Sequence, residues 1–338
     1  MDLVLRIVGF VALLLLLGLA ALVAFLWWHW RKIRKIAGSG LPPASIDLIA
    51  DTEAGWIDRR PCEAAVREFE RHGFVRSGPF EIVGLPGVRL LGFSHPGERL
   101  RACCYQHPAA GCFVDLVATL ADGLEITVTN ASTGSEMDTR PGTEKLYLAG
   151  RAVPELLDAL RAKIAGRALR PTAPGSFKED FIEAYARDMA WRTGRLGVSE
   201  AEFRRVSANE ERTYTEEQIR AAFRETKRQE LHQWAEGVAE TFAETTELSV
   251  AVWKKFEDAL VVFRPDFHPP AYLDYLGQIV DLPESDRAAL EAEVEGGMAL
   301  EQLLARVSGA TGHRFVRLGE VERPLRCEVF GLEREPER

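Results

Sequence analysis

Residues 74–130 contain five apolar runs: FVRSGPFEIV (74–83), VRLLGFSH (88–95), LRACCYQH (100–107), CFVDLVATL (112–120) and LEITVTN (124–130). The breaks between them hold Pro86-Gly87, Pro96-Gly97, Pro108-Ala109-Ala110-Gly111 and Asp122-Gly123. These are residue types that fix or permit turn backbones. Short runs at this spacing predict consecutive antiparallel strands, a meander. The last run alternates, with Leu124, Ile126 and Val128 on one face and Glu125, Thr127 and Thr129 on the other. One face of the sheet is therefore buried, and the other is wet or covered by another element.

Helices are expected on either side of the meander. Pro61 is preorganised for a first helical turn, Ala64, Ala65, Val66 and Phe69 form a stripe, and Gly73 suits a left-handed cap. A helix is thus predicted over Cys62–His72. A second opens at Pro154 and runs to about Ala165, with Leu156, Leu157, Leu160 and Ile164 in register. Residues 133–150 read as a long polar loop. The layout is α+β.

Outward from this unit, Pro171 and Pro174 precede a helical region. Ser199-Glu200-Ala201-Glu202 and Thr215-Glu216-Glu217-Gln218 have the capping-box form. The second predicts one long amphipathic helix over about Glu216–Ala259, its stripe running through Ile219, Phe223, Leu231, Trp234, Val238, Phe242, Leu248, Val252 and Phe256. Further helices are predicted over Ser285–Glu295 and Ala299–Ser308, and a small ribbon from Arg314–Leu318 and Cys327–Leu332. The expected domains are a membrane anchor and basic collar (1–36), a linker (37–60), an α+β sheet domain (61–170), a helical region with the long amphipathic helix (171–262) and a small mixed helical and ribbon C-terminal region (263–338).

The anchor rests on Ile7–Trp28, IVGFVALLLLLGLAALVAFLWW, which carries no charge and as a helix spans roughly 33 Å. Trp27, Trp28 and Trp30 suit the headgroup level, and Arg31, Lys32, Arg34 and Lys35 follow at once. The Lys/Arg bias places the N-terminus outside and the rest of the chain in the cytoplasm, a single-pass topology in the cell membrane. The cations follow an apolar stretch too long for a secretory signal, which argues against cleavage.

The net charge of −9 disfavours a nucleic-acid surface, and 46% hydrophobic with 28% charged residues describes a folded protein. The excess of Arg over Lys is associated with GC-rich bacterial genomes. Five cysteines without a C-x-x-C spacing fit a reducing compartment rather than a disulfide framework. No zinc-protease, P-loop, dinucleotide or serine-hydrolase motif occurs.

Two groups of candidate residues remain. Cys112 and His107 flank one hairpin, a spacing that suits a thiolate–imidazole pair. Asn130, Asp138 and Arg140 lie on the polar loop, where Arg140 offers a bidentate fork for a carboxylate or phosphate. His95 and His107 end successive antiparallel strands and so lie at opposite ends of the sheet, which argues against a shared metal site. No metal and no cofactor is expected. The expected function is a membrane-tethered binding or scaffold protein with a cytoplasmic protein partner. The alternative is a membrane-anchored enzyme using Cys112 and His107 or the Arg140 loop.

Overall fold

A computed structural model describes residues 43, 45–51, 59–108, 110–172, 175–209, 214–247, 249–256 and 259–334. The expected span and its collar lie outside these residues. Among the described residues no helix is long and apolar enough to cross a membrane.

The meander forms as the turn residues dictate. Strands β2 (Val75–Val83), β3 (Arg89–His95), β4 (Leu100–His107), β5 (Gly111–Thr119) and β6 (Glu125–Thr129) pair antiparallel in order. Two strands extend the sheet to seven. β1 (Asp47–Ala50) pairs with β2, although it falls in the stretch expected as a linker. Its alternation buries Ile46 and Leu48 in the core, which outweighs the shortness of the strand. β7 (Thr143–Tyr147) corrects the loop expected over 133–150 and pairs parallel to β6, the one parallel pairing in this sheet. Leu146 and Leu148 pack against the core from it.

Both faces of the sheet are covered. On one face lie α1 (Arg59–Arg71) and α2 (Val153–Ile164), which close over Phe69, Phe93, Leu116, Val128 and Leu157, all essentially inaccessible. The other face receives α3 (Phe177–Gly194), whose Phe177 and Phe181 pack with Leu90, Cys103 and Tyr105. Odd-numbered and even-numbered residues of β4 therefore belong to different cores.

A second core is built around a three-stranded sheet in the order β8 (Leu260–Phe263), β10 (Cys327–Arg334), β9 (His313–Val321). The expected ribbon is thus the β9–β10 pair, and β8 is an added edge. α4 (Glu200–Ala208) precedes α5 (Glu216–Thr245), which packs on this sheet with α7 (Pro269–Ile279), α8 (Glu284–Glu295) and α9 (Leu300–Thr311). The long helix ends earlier than expected. Thr241 and Thr245 return their hydroxyls to the carbonyls of Gly237 and Thr241, and Thr246 is extended. Such back-bonding and β-branching weaken a helix end. Ser249 then caps a separate short helix, α6 (Val250–Phe256), and the apolar Leu260-Val261-Val262-Phe263 goes to sheet. Arg224 of α5 fixes α7 through a two-pronged pair with Asp274, at 2.7 Å on each prong.

Candidate functional site

The turn after α3 prepares a cleft. Leu196 and Gly197 both have positive φ (64° and 77°), and a Cβ on Gly197 would lie 2.3 Å from a Glu230 oxygen. Glycine is thus required by conformation and by space. Glu230 reaches up from α5, accepts the Val198 N–H at 3.1 Å and the Lys227 ammonium at 2.8 Å. Lys227 also donates to the Leu196 carbonyl at 2.5 Å. Glu230 is 1% and Lys227 9% exposed, so this is a buried ion pair within one helix turn.

Above the pair opens a cleft of about 330 Å³. One wall is the Phe223, Leu231 and Trp234 face of α5. The other is the segment Asp266–Ala271 that enters α7. His268 caps α7, its Nδ1 accepting the Ala271 N–H at 3.4 Å, and its ring meets Phe223 edge-on. Burial, with the nearby Lys227 and Arg224 charges, holds the His268 pKa below the usual range, so the ring is neutral near pH 7 with its proton on Nε2. Burial likewise lowers the pKa of Lys227, although the Glu230 carboxylate opposes the shift. Trp234 stacks on Phe267 with ring centroids 6.3 Å apart. The lining is mainly apolar with a few fixed polar atoms, the usual make-up of a small-molecule site.

The residues singled out in the sequence fall in three places. Cys112 and His107 are not brought together. Cys112 stands opposite Gln106 and His107 opposite Gly111, which puts the two side chains on different faces of the sheet. His107 accepts the Ala110 N–H at Nδ1 (3.1 Å), and burial lowers its pKa. Cys112 instead meets Cys62 and Cys104. Asn130 is bonded to backbone on both sides, accepting from Val114 N–H at 2.8 Å and donating to the Arg151 carbonyl at 3.1 Å. The Arg140 fork is engaged by Asp188 at 2.7 Å.

Asp138 reaches the rim of the cleft. It accepts from Ser199 Oγ (2.7 Å), from Arg195 (2.6 Å) and from Arg205, and Arg195 itself lines the cleft. Burial alone would raise the Asp138 pKa, yet the Ser199 hydroxyl and the two guanidinium groups hold it well below the carboxylate range. The stabilisation is therefore complete above an unfolded Asp pKa of about 3.9 and is lost as pH falls through the lower folded value. Hydrogen exchange of residues 134–142, taken relative to the intrinsic rate at each pH, should accelerate on acidification below about pH 4. In Asp138→Asn it should already be fast at neutral pH and change little over that range, and equal acid response in both proteins would count against the assignment.

Lys227 and Glu230 were not among the candidates read from the sequence. The signal was a cation at position 227, midway between Phe223 and Leu231 on an otherwise apolar stripe. Comparison with family models, with curated proteins and with solved structures finds no match for this chain.

Proposed function

We propose that this protein is a membrane-tethered binding module: Ile7–Trp28 anchors it, the Arg31–Lys35 collar orients it, and its folded part faces the cytoplasm. The cleft between α5 and the entry to α7 takes a small ligand with an apolar, preferably aromatic, body and one hydrogen-bond acceptor. What carries this reading is the Lys227 ammonium in an apolar cleft. Two of its three N–H groups go to Leu196 and Glu230, and the third is met by no hydrogen-bond acceptor among the described residues, only by the Phe223 ring at 5.5 Å, a contact that a ligand acceptor can replace. His268 Nε2–H supplies a second donor.

The charges near the cleft support binding over chemistry, because they are paired with one another. Lys227 meets Glu230, Arg195 meets Asp138 and Glu202, and Asp266 meets Arg264 at 2.7 Å. Ligand-observed NMR with a panel of aromatic carboxylates and amides tests the proposal on the full chain in detergent. Hits should quench Trp fluorescence and lose at least tenfold in affinity in Lys227→Met/Glu230→Gln, which keeps an acceptor for Val198 without leaving a lone charge. Hits that bind the double variant equally, or no hits, would reject the cleft. Labelling of a C-terminal tag by an impermeant reagent in intact cells would reject the topology.

One observation favours a second reading as an enzyme. Lys227 lines an apolar cleft, and a lysine so placed is the residue type that forms imines with carbonyl compounds once it gives up its proton. Borohydride trapping of an aldehyde on Lys227, read by peptide mass, distinguishes the two.

A further inference from the structure

Three cysteines from three separate elements meet at one point. Cys62 lies in the first turn of α1, Cys104 in β4 and Cys112 at the start of β5. Their sulfurs all lie within 4.8 Å of one another. Cys62 and Cys112 are 2.6 Å apart, and Cys104 and Cys112 3.7 Å. Cys62 and Cys104 are buried and Cys112 is half-buried, so the cluster sits in the apolar layer under α1 with one side toward the surface.

Three features point to a cation at its centre. Sulfurs held by a metal at about 2.3 Å in a trigonal plane stand roughly 4 Å apart. Cys104 and Cys112, at 3.7 Å, are close to that spacing, and Cys62 and Cys112, at 2.6 Å, would have to part to reach it. Among the described residues no His, Asp, Glu or further Cys joins the three, and the three described donors are all soft sulfurs. Thiolate donors of this kind select thiophilic ions over Mg²⁺ or Ca²⁺, and a structural Zn²⁺ would require a fourth ligand. The N-terminal end of α1, where Cys62 sits, also favours negative charge on sulfur.

We propose that Cys62, Cys104 and Cys112 form a three-thiolate site for a soft d¹⁰ cation of the Cu(I) class. A two-sulfur bridge between Cys62 and Cys112 would use only two of the three thiols and needs an oxidant. Cation binding uses all three and releases thiol protons. Affinity should therefore fall as pH is lowered.

The test uses the reduced full-length protein in detergent, titrated anaerobically with Cu(I) against a chromophoric Cu(I) chelator. One equivalent should bind, with X-ray absorption showing three sulfur neighbours. Cys112→Ala, at the half-buried position, should lose at least about 100-fold in affinity, since even outer-shell changes at metal sites cost 10–100-fold. Cys103→Ala, on the opposite face, should bind as wild type. Cys112→Ser, closer in shape and polarity, serves if the alanine variant does not fold. Equal binding by wild type and the Cys112 variants would overturn the site. So would a four-coordinate Zn(II) complex that outcompetes Cu(I), or a Cys62–Cys112 disulfide in protein whose thiols are blocked at lysis.

Discussion

Replacing Glu202 with alanine is expected to lower the stability of the folded chain by about 3–5 kcal/mol, the cost of breaking a buried ion pair. Glu202 is 1% exposed and receives the guanidinium groups of Arg192 and Arg195, the second at 3.0 Å. Arg195 passes the network on to Asp138, so one carboxylate joins α3, α4 and the loop before β7. Without it, Arg192 loses its carboxylate partner and Arg195 keeps only the carboxylate of Asp138. Glu202→Gln keeps the shape and one acceptor, and should lose less than the alanine variant. Arg151 and Glu155 form an exposed pair, 63% and 50% accessible, and provide the contrast. Glu155→Ala also gives up its bond from the Ala152 N–H at 3.0 Å, and the two losses together should cost no more than about 2 kcal/mol. Urea unfolding followed by near-UV circular dichroism measures all three, and equal losses for Glu202→Ala and Glu155→Ala would refute the buried network.

The same residue shows what was legible beforehand. Ser199-Glu200-Ala201-Glu202 reads as a capping box, and Ser199 does cap α4, accepting the Glu202 N–H at 3.0 Å. At Thr215 and Gln218 both halves of the box form. The Glu202 side chain instead goes to two arginines, because long-range pairing in a buried site outweighs a local return to the backbone. Local signals served where the physics was local. Turn residues set the meander, and the apolar stripes set α1, α2, α8 and α9 close to their expected bounds. Elements that depend on a distant partner were not visible. β7 exists because β6 offers a parallel edge. The three-thiol cluster brings together residues 50 apart in sequence, Cys62 and Cys112. The cleft needs α5 and the entry to α7 to converge, and only the out-of-place Lys227 hinted at it.

Phe177→Ala should cost about 3–5 kcal/mol, and the reason lies in a glycine on another element. Phe177 is 2% exposed and begins α3; its ring stacks with Phe80 at 5.9 Å and Phe181 at 6.0 Å. It lies over Gly92 of β3, where an added Cβ would meet the ring at 2.3 Å. The missing side chain thus makes the seat for α3 on the sheet. An alanine at an unobstructed strand glycine usually stabilises a protein by about 0.4–1 kcal/mol through the unfolded chain. Here Gly92→Ala should be destabilising, because the ring, and with it the first turn of α3, has to move. In the Phe177→Ala background the obstruction is gone, and the same Gly92→Ala change should become neutral or stabilising. The two substitutions are therefore coupled, by an amount within the 0.5–3 kcal/mol typical of contacting residues. A double-mutant cycle by urea unfolding reads the sign directly. If Gly92→Ala has the same effect with and without the Phe177 ring, α3 does not dock on the sheet through this contact.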